Sequence, residues 1–202
     1  MSGITVEMFL RFLAPPRDPR GYIRHPIGTE TDWYATNGHV LLRVPAGTFV
    51  HVNFAACIDA PFVPPPPGFV AQMDGVIDSA FARVDSFAPA PEVILVRGQE
   101  RCEECFGQGV VWCDYGHSHD CEECDGRGER SRKAYQGWCG QTFNADYLAR
   151  IHALPGAALA LPPLNDQRDE LKPLAFRCSD GGMGVIMPCD STRLPAAMVG
   201  AA

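Results

Sequence analysis

Between residues 102 and 128 the chain writes one eight-residue pattern twice. Cys102-Glu-Glu-Cys105-Phe-Gly107-Gln-Gly109 is followed by Cys121-Glu-Glu-Cys124-Asp-Gly126-Arg-Gly128. Two cysteines three positions apart on a tight turn aim both sulfurs at one point. The glycines let the backbone fold back and offer N–H groups to sulfur. Two such knuckles supply four thiolates, enough to close a tetrahedral zinc site with no open position. The expected cofactor is one structural Zn2+ held by Cys102, Cys105, Cys121 and Cys124. A redox CxxC pair would not explain two copies with matching glycines. Cys113, His117 and His119 lie between the knuckles without a partner CxxC and read as a hydrated loop tip, with part of a second metal site as the alternative.

Nine cysteines in all, an odd number, make a poor disulfide framework and strengthen the metal reading. The N-terminal run Met1-Ser2-Gly3-Ile4-Thr5-Val6-Glu7 has no basic region or long apolar stretch of a signal peptide, so the expected location is cytoplasmic. No apolar run is long enough to span a membrane. From Glu100 to Arg130 nine acidic residues face three basic ones, a net −6, while the remaining chain, with 15 acidic and 14 basic residues, carries −1. A near-neutral body therefore carries one acidic module, which repels a phosphate backbone.

Gly and Pro together make 38 of 202 residues, an excess that favours strands and turns over a helical bundle. Thr5 can cap a short helix with Val6, Phe9, Leu10 and Leu13 on one face, stopped by Pro15-Pro16. Residues 17–31 read as loop, with an edge strand around Gly21-Tyr22-Ile23. Asn37-Gly38 between Trp33–Thr36 and His39–Val44 is a strong hairpin signal, with both turn residues expected at positive φ. Thr48–Phe54 reads as a strand and Pro64–Pro67 as a stiff spacer. Asp74 is expected to cap a second helix bearing Val76, Ile77, Ala80, Phe81 and Val84. Glu92–Val96 reads as a strand. A third helix starts near Asn144, with Phe143 and Leu148 spaced as a hydrophobic staple and Pro155-Gly156 at its end. Strands are expected at Ala157–Leu161, Leu174–Cys178 and Gly184–Met187, and a frayed tail after Asp190.

The doubled motif resembles half of the four-repeat cysteine-rich domain of DnaJ-type co-chaperones, which implies a zinc-binding β-hairpin and contacts with proteins. A second resemblance is spread over three segments. Ala35-Thr36-Asn37-Gly38-His39-Val40-Leu41, Phe143-Asn144-Ala145-Asp146-Tyr147-Leu148 and Gly184-Val185-Ile186-Met187-Pro188 are similar, in this order, to motifs of the bacterial DNA polymerase III β sliding clamp. This resemblance implies an α+β fold: a single DNA-clamp-like domain of strands with two or three short helices, with the zinc hairpin inserted. The body would be residues 1–99 and 131–190, the zinc module 100–130 and a flexible tail 191–202. It also implies a partner-binding groove for short apolar peptides, formed by Thr36, Gly38, His39, Leu41, Val185, Met187 and Pro188. The same residues would otherwise be plain core strand and turn.

No constellation of a nucleophile, base and oxyanion donor is visible, and Asp180-Gly181-Gly182-Met183-Gly184 sits in a hairpin turn, not between a strand and a helix, so it is not a phosphate loop. The expectation is a non-enzymatic protein that works through protein contacts in or against DNA replication or repair. Two other functions follow from the same motifs. One is a zinc-hairpin chaperone or adaptor holding client polypeptides. The other is a homo-oligomer that encircles DNA, although Glu7 and Arg11 on one helix and Asp146, Arg150 and His152 on another give near-neutral faces that do not suit phosphates.

Overall fold

The computed structural model describes residues 3–49, 52–54, 57–58, 61–93, 99–113, 115–131, 134–161 and 172–190. The chain divides into two compact units, Met1–Val93 with Tyr135–Ala202, and Ile94–Ala134. In chain order the elements are α1 (Val6–Leu10), β1 (Ile27–Gly28), β2 (Asp32–Thr36), β3 (Val40–Pro45), α2 (Phe69–Phe81) and β4 (Ser86–Pro89). The smaller unit holds β5 (Gln99–Arg101), β6 (Val110–Trp112), β7 (Ser118–Asp120) and β8 (Glu129–Ser131). Then come β9 (Tyr135–Trp138), β10 (Gln141–Asn144), α3 (Ala145–His152), β11 (Ala158–Leu161), β12 (Leu174–Arg177) and β13 (Met183–Ile186). Among the described residues no helix is long and apolar enough to cross a membrane.

The larger unit is built on a seven-stranded antiparallel sheet in the order β1-β2-β3-β13-β12-β11-β4. The register explains why Val40, Leu41 and Leu42 are all buried. Successive residues point to opposite faces, and both faces are covered. Leu41 lies beside Val185 and Ala175, and Leu42 beside Gly184 and Phe176. The Leu42 face meets α1 and the turn that follows it, where Phe12 stacks on Phe176 at 6.2 Å. The Leu41 face meets α2. Two residues further along that face, Tyr34 and Arg43 are paired across β2 and β3. Asp74 of α2 accepts from the Tyr34 hydroxyl at 2.8 Å and from Arg43 Nη1 at 2.9 Å.

These contacts correct the placement of Asp74. It sits inside α2, not at its start, because its carboxylate has two partners on the sheet. The helix begins nearly two turns earlier, with Gly68 in the left-handed region (φ 78°) directly after the proline run. Other expectations shift as well. Gly21–Arg24 is a 3-10 turn, and the edge strand is β1. The described part of 48–54 forms helical turns, with Phe49 and Phe54 folded onto Phe9 at 5.0 and 5.8 Å, so aromatic clustering overrides strand propensity there. Glu92 and Val93 are outside any strand, and the rest of that expected strand lies outside the described residues, as does the tail 191–202. In the β2–β3 turn only Gly38 has positive φ (88°). Asn37 instead turns its side-chain oxygen onto the N–H groups of His39 and Val40, at 2.9 and 3.1 Å.

The start of α3 is as expected. Asn144 Oδ1 accepts from Asp146 N at 2.8 Å, and the staple residues Phe143 and Leu148 are fully buried.

Burial, and then the bond to Asp74, push the Tyr34 hydroxyl up to about 12, and burial pushes the Cys178 thiol up to about 12. Both groups favour their protonated form in the fold. Their contribution is therefore present below the ordinary thiol value of 9.0 and is lost as pH rises towards about 12. Thermal melts should show stability falling through that window. Tyr34→Phe should cost about 1 kcal/mol near neutral pH and make the alkaline decline shallower. An unchanged decline would remove Tyr34 from this role.

Candidate functional site

The smaller unit brings the four expected cysteines together. All four are buried, and their sulfurs lie within 4.8 Å of one another. Cys102 Sγ is 3.8 Å from Cys121 Sγ, and Cys105 Sγ is 3.7 Å from Cys124 Sγ. A tetrahedral ion with metal–sulfur bonds of about 2.3 Å requires sulfurs about 3.8 Å apart. The donor set fits a metal ion of that kind.

The two knuckles are near copies in three dimensions. Cys102 N donates to Gly128 O at 2.9 Å, and Cys121 N to Gly109 O at 2.8 Å. Gly107 N donates to Cys102 O, and Gly126 N to Cys121 O, at 3.0 and 3.1 Å. Gly109 N and Gly128 N each donate to a sulfur, Cys105 and Cys124 respectively, both at 3.2 Å. The glycines at 109 and 128 are also required sterically. Each has positive φ (78° and 74°), and a Cβ would come within 2.2 Å of Gly126 O or 2.4 Å of Gly107 O. The frame is not one hairpin but two separate two-stranded ribbons, β5–β8 and β6–β7, which corrects the single-hairpin expectation.

Two of the thiols, Cys105 and Cys121, shift in opposite directions. Burial opposes ionisation of Cys105, but the Gly109 N–H and the neighbouring thiols bring it down to about 7. Burial drives Cys121 up to about 12. Four adjacent thiolates repel one another, and a divalent cation removes that penalty. Cys113, His117 and His119 do not join the cluster: among the described residues the knuckle cysteines are the only group of three or more that gathers its ligand atoms.

The larger unit gathers a second set of expected residues. Thr36, Gly38, His39, Leu41, Val185 and Met187 line one cleft of about 190 Å³. Pro188, the seventh, does not line it. Sequence reading did not include the opposite wall. Tyr22 and Phe69 meet there edge to face at 5.0 Å, and Met73 and Val76 of α2 continue it. These residues carry no local signal, since the 3-10 turn and α2 reach the cleft only through the tertiary fold.

The three dispersed segments meet at this place. Val185 pairs with Leu41 across β13 and β3, and Met187 N donates to His39 O at 2.8 Å. Tyr147 of α3 stacks on His39 at 6.0 Å, and Arg150 lies 5.2 Å from the centre of the Tyr147 ring on the same helix. At the cleft edge Arg20 grips Asp18 through two bonds of 3.0 and 2.9 Å and donates to Asn37 O at 3.2 Å. That grip holds the Asp18 carboxyl below its ordinary range and neutralises the one full charge at the rim. What remains is a mainly apolar slot of a size for one large side chain. The methionines Met73 and Met187 give it adaptable walls.

No protein-family model matches the chain, and no curated protein matches it. Among solved structures, the β sliding clamp of C. crescentus, crystallised with polyethylene glycol bound, is similar at a TM-score of 0.36 with 12% identity. The match covers 92% of this chain and 62% of that one, so this chain spans under two thirds of its length. A likeness this distant assigns neither a fold nor an activity.

Proposed function

We propose that the chain is a non-enzymatic docking protein of sliding-clamp type, which takes a short apolar segment of a DNA replication or repair protein into the cleft of its larger unit. The smaller unit, on this reading, is a DnaJ-like knuckle pair closed around one structural Zn2+. Zinc suits four buried thiolates at tetrahedral spacing because it tolerates an all-sulfur shell and has no redox chemistry to damage it. The observation that carries the docking reading is that two of the three segments, separated by some 140 positions along the chain, line one slot through Thr36, His39, Leu41, Val185 and Met187, while the third reaches it through Tyr147 stacked on His39. Motifs retained only for core packing would not need to surround an open cavity. An adaptable apolar slot between α2 and the central strands β3 and β13 suits a peptide anchored by a Leu or Phe side chain.

Calorimetry with short Leu- and Phe-containing peptides from polymerase and clamp-loader proteins tests it. Val76 lines the slot from the solvent side of α2 and is 36% exposed, so Val76→Glu leaves the core intact. It should weaken binding by about tenfold or more. Binding that ignores this charge, or no binding by any such peptide, would reject the cleft. Suppression of client aggregation that Cys121→Ser abolishes would favour the chaperone reading instead. DNA retention by a sedimenting ring would favour encirclement.

A further inference from the structure

The smaller unit exposes aromatic rings that a free-standing zinc knuckle does not need. Phe106 is 69% exposed, Trp112 67% and Tyr115 88%. The β6–β7 ribbon explains how two of them come to stand out. Val111 packs against the cysteine cluster, so Trp112, its neighbour on β6, points to the opposite face. Among the described residues the ribbon pairs with no third strand. Tyr115 lies in the tight turn that follows, where Gly116 N donates to Cys113 O at 2.9 Å.

Charge indicates the partner. Between Glu100 and Arg130 all three arginines are engaged within that segment; with Arg97, Arg132 and Lys133 flanking it, the smaller unit has nine acidic and six basic residues, a net −3. Arg101 donates to Phe106 O, Arg127 to Cys124 O at 2.9 Å, and Arg130 pairs with Glu100 at 2.9 Å and with Glu103 at 3.6 Å. Glu104, Asp120 and Glu129 pair with no arginine among the described residues. The outward field is therefore negative, and four thiolates around a divalent ion add two further negative charges. An anionic nucleic acid or an anionic lipid surface would be repelled.

We propose that the β6–β7 tip is a docking surface for a cationic polypeptide segment, with Trp112 and Tyr115 receiving Arg or Lys side chains over their ring faces while the net acidity of the segment 100–130 sets the field. Exposed Trp and Tyr are the residue types that anchor interfaces, and a cation over an aromatic face is held by the ring's quadrupole. This surface is separate from the apolar cleft and does not rest on it.

The test uses the full chain loaded with zinc and a fluorescein-labelled peptide of alternating Arg and Gly, read by anisotropy. The peptide should bind, and binding should weaken by about tenfold or more between about 50 and about 500 mM salt. The Glu-Gly counterpart should not bind. Tyr115→Ala, a change at an exposed turn residue, and the double variant Trp112→Ala/Tyr115→Ala should weaken binding progressively, the double by about tenfold, with zinc content unchanged. Val76→Glu, in the cleft, should have no effect. The proposal is overturned if the Arg peptide does not bind, if an uncharged apolar peptide binds equally well, or if Tyr115→Ala and the zinc-retaining double variant bind like the parent.

Discussion

Chelation at neutral pH is expected to melt residues 99–131 while the seven-stranded sheet of the larger unit stays folded. Among the described residues the buried cluster of the smaller unit consists of Cys102, Cys105, Cys121 and Cys124, with Val111 packed against it. A core of four thiols and one valine buries too little apolar surface to offset the chain entropy of thirty ordered residues, which runs to about 1–2 kcal/mol each. Its two ribbons have three residue pairs each, too few to stand alone. On the proposed reading a bound metal ion would therefore supply most of the folding energy, on the order of 10 kcal/mol or more. Hydrogen exchange followed residue by residue provides the readout. Protection should vanish at the knuckles on chelation or in Cys121→Ser, and persist at Leu42, Phe176 and Ile186. Knuckle amides that stay protected without metal would show that the hydrogen-bonded glycine loops hold the unit by themselves.

The second large effect is expected at Gly184. Its position on β13 faces Phe176 and the backbone of β3. A Cβ there would lie 2.2 Å from Leu41 O and 2.3 Å from Phe176 Cζ. The carbonyl belongs to a central strand and the ring is fully buried, so neither can move away cheaply. Gly184→Ala should destabilise the larger unit by about 3 kcal/mol or more. Gly75→Ala is the matched control. It lies inside α2 with no atom within 4 Å of the added methyl and should stabilise by about 0.5–1 kcal/mol. Urea titration of the two variants separates the outcomes. Equal midpoints would mean that β13 shifts to accommodate the methyl.

The features legible in the sequence were those fixed by local chemistry. The knuckles announced themselves because cysteine spacing and glycine positions within eight residues determine both the turn and the sulfur direction. Asn144 and the Phe143–Leu148 staple located α3 for the same reason: the cap is complete within one turn. Asp74 misled because an acidic residue ahead of an apolar run looks like a cap, and its partners Tyr34 and Arg43 are some 30 to 40 positions away. Thr48–Phe54 has strand-like composition, but Phe49 and Phe54 gain more by joining Phe9 than by pairing in a ladder. The far wall of the cleft was hidden for a related reason. Tyr22, Phe69 and Met73 become neighbours of Leu41 only when α2 crosses the sheet.

The central place of β13 bears on how the protein is made. Leu41 finds its partner Val185 only after 144 further positions have been added, so β2 and β3 leave the ribosome with one open edge of unpaired amides. The knuckles, whose cysteines and glycines all lie before residue 131, can close, around a metal ion on the proposed reading, while that edge still waits. Synthesis thus passes through a stage in which the later-emerging unit is finished and the earlier one is not, and it is in that interval, rather than in the mature protein, that aggregation or a holding chaperone would act.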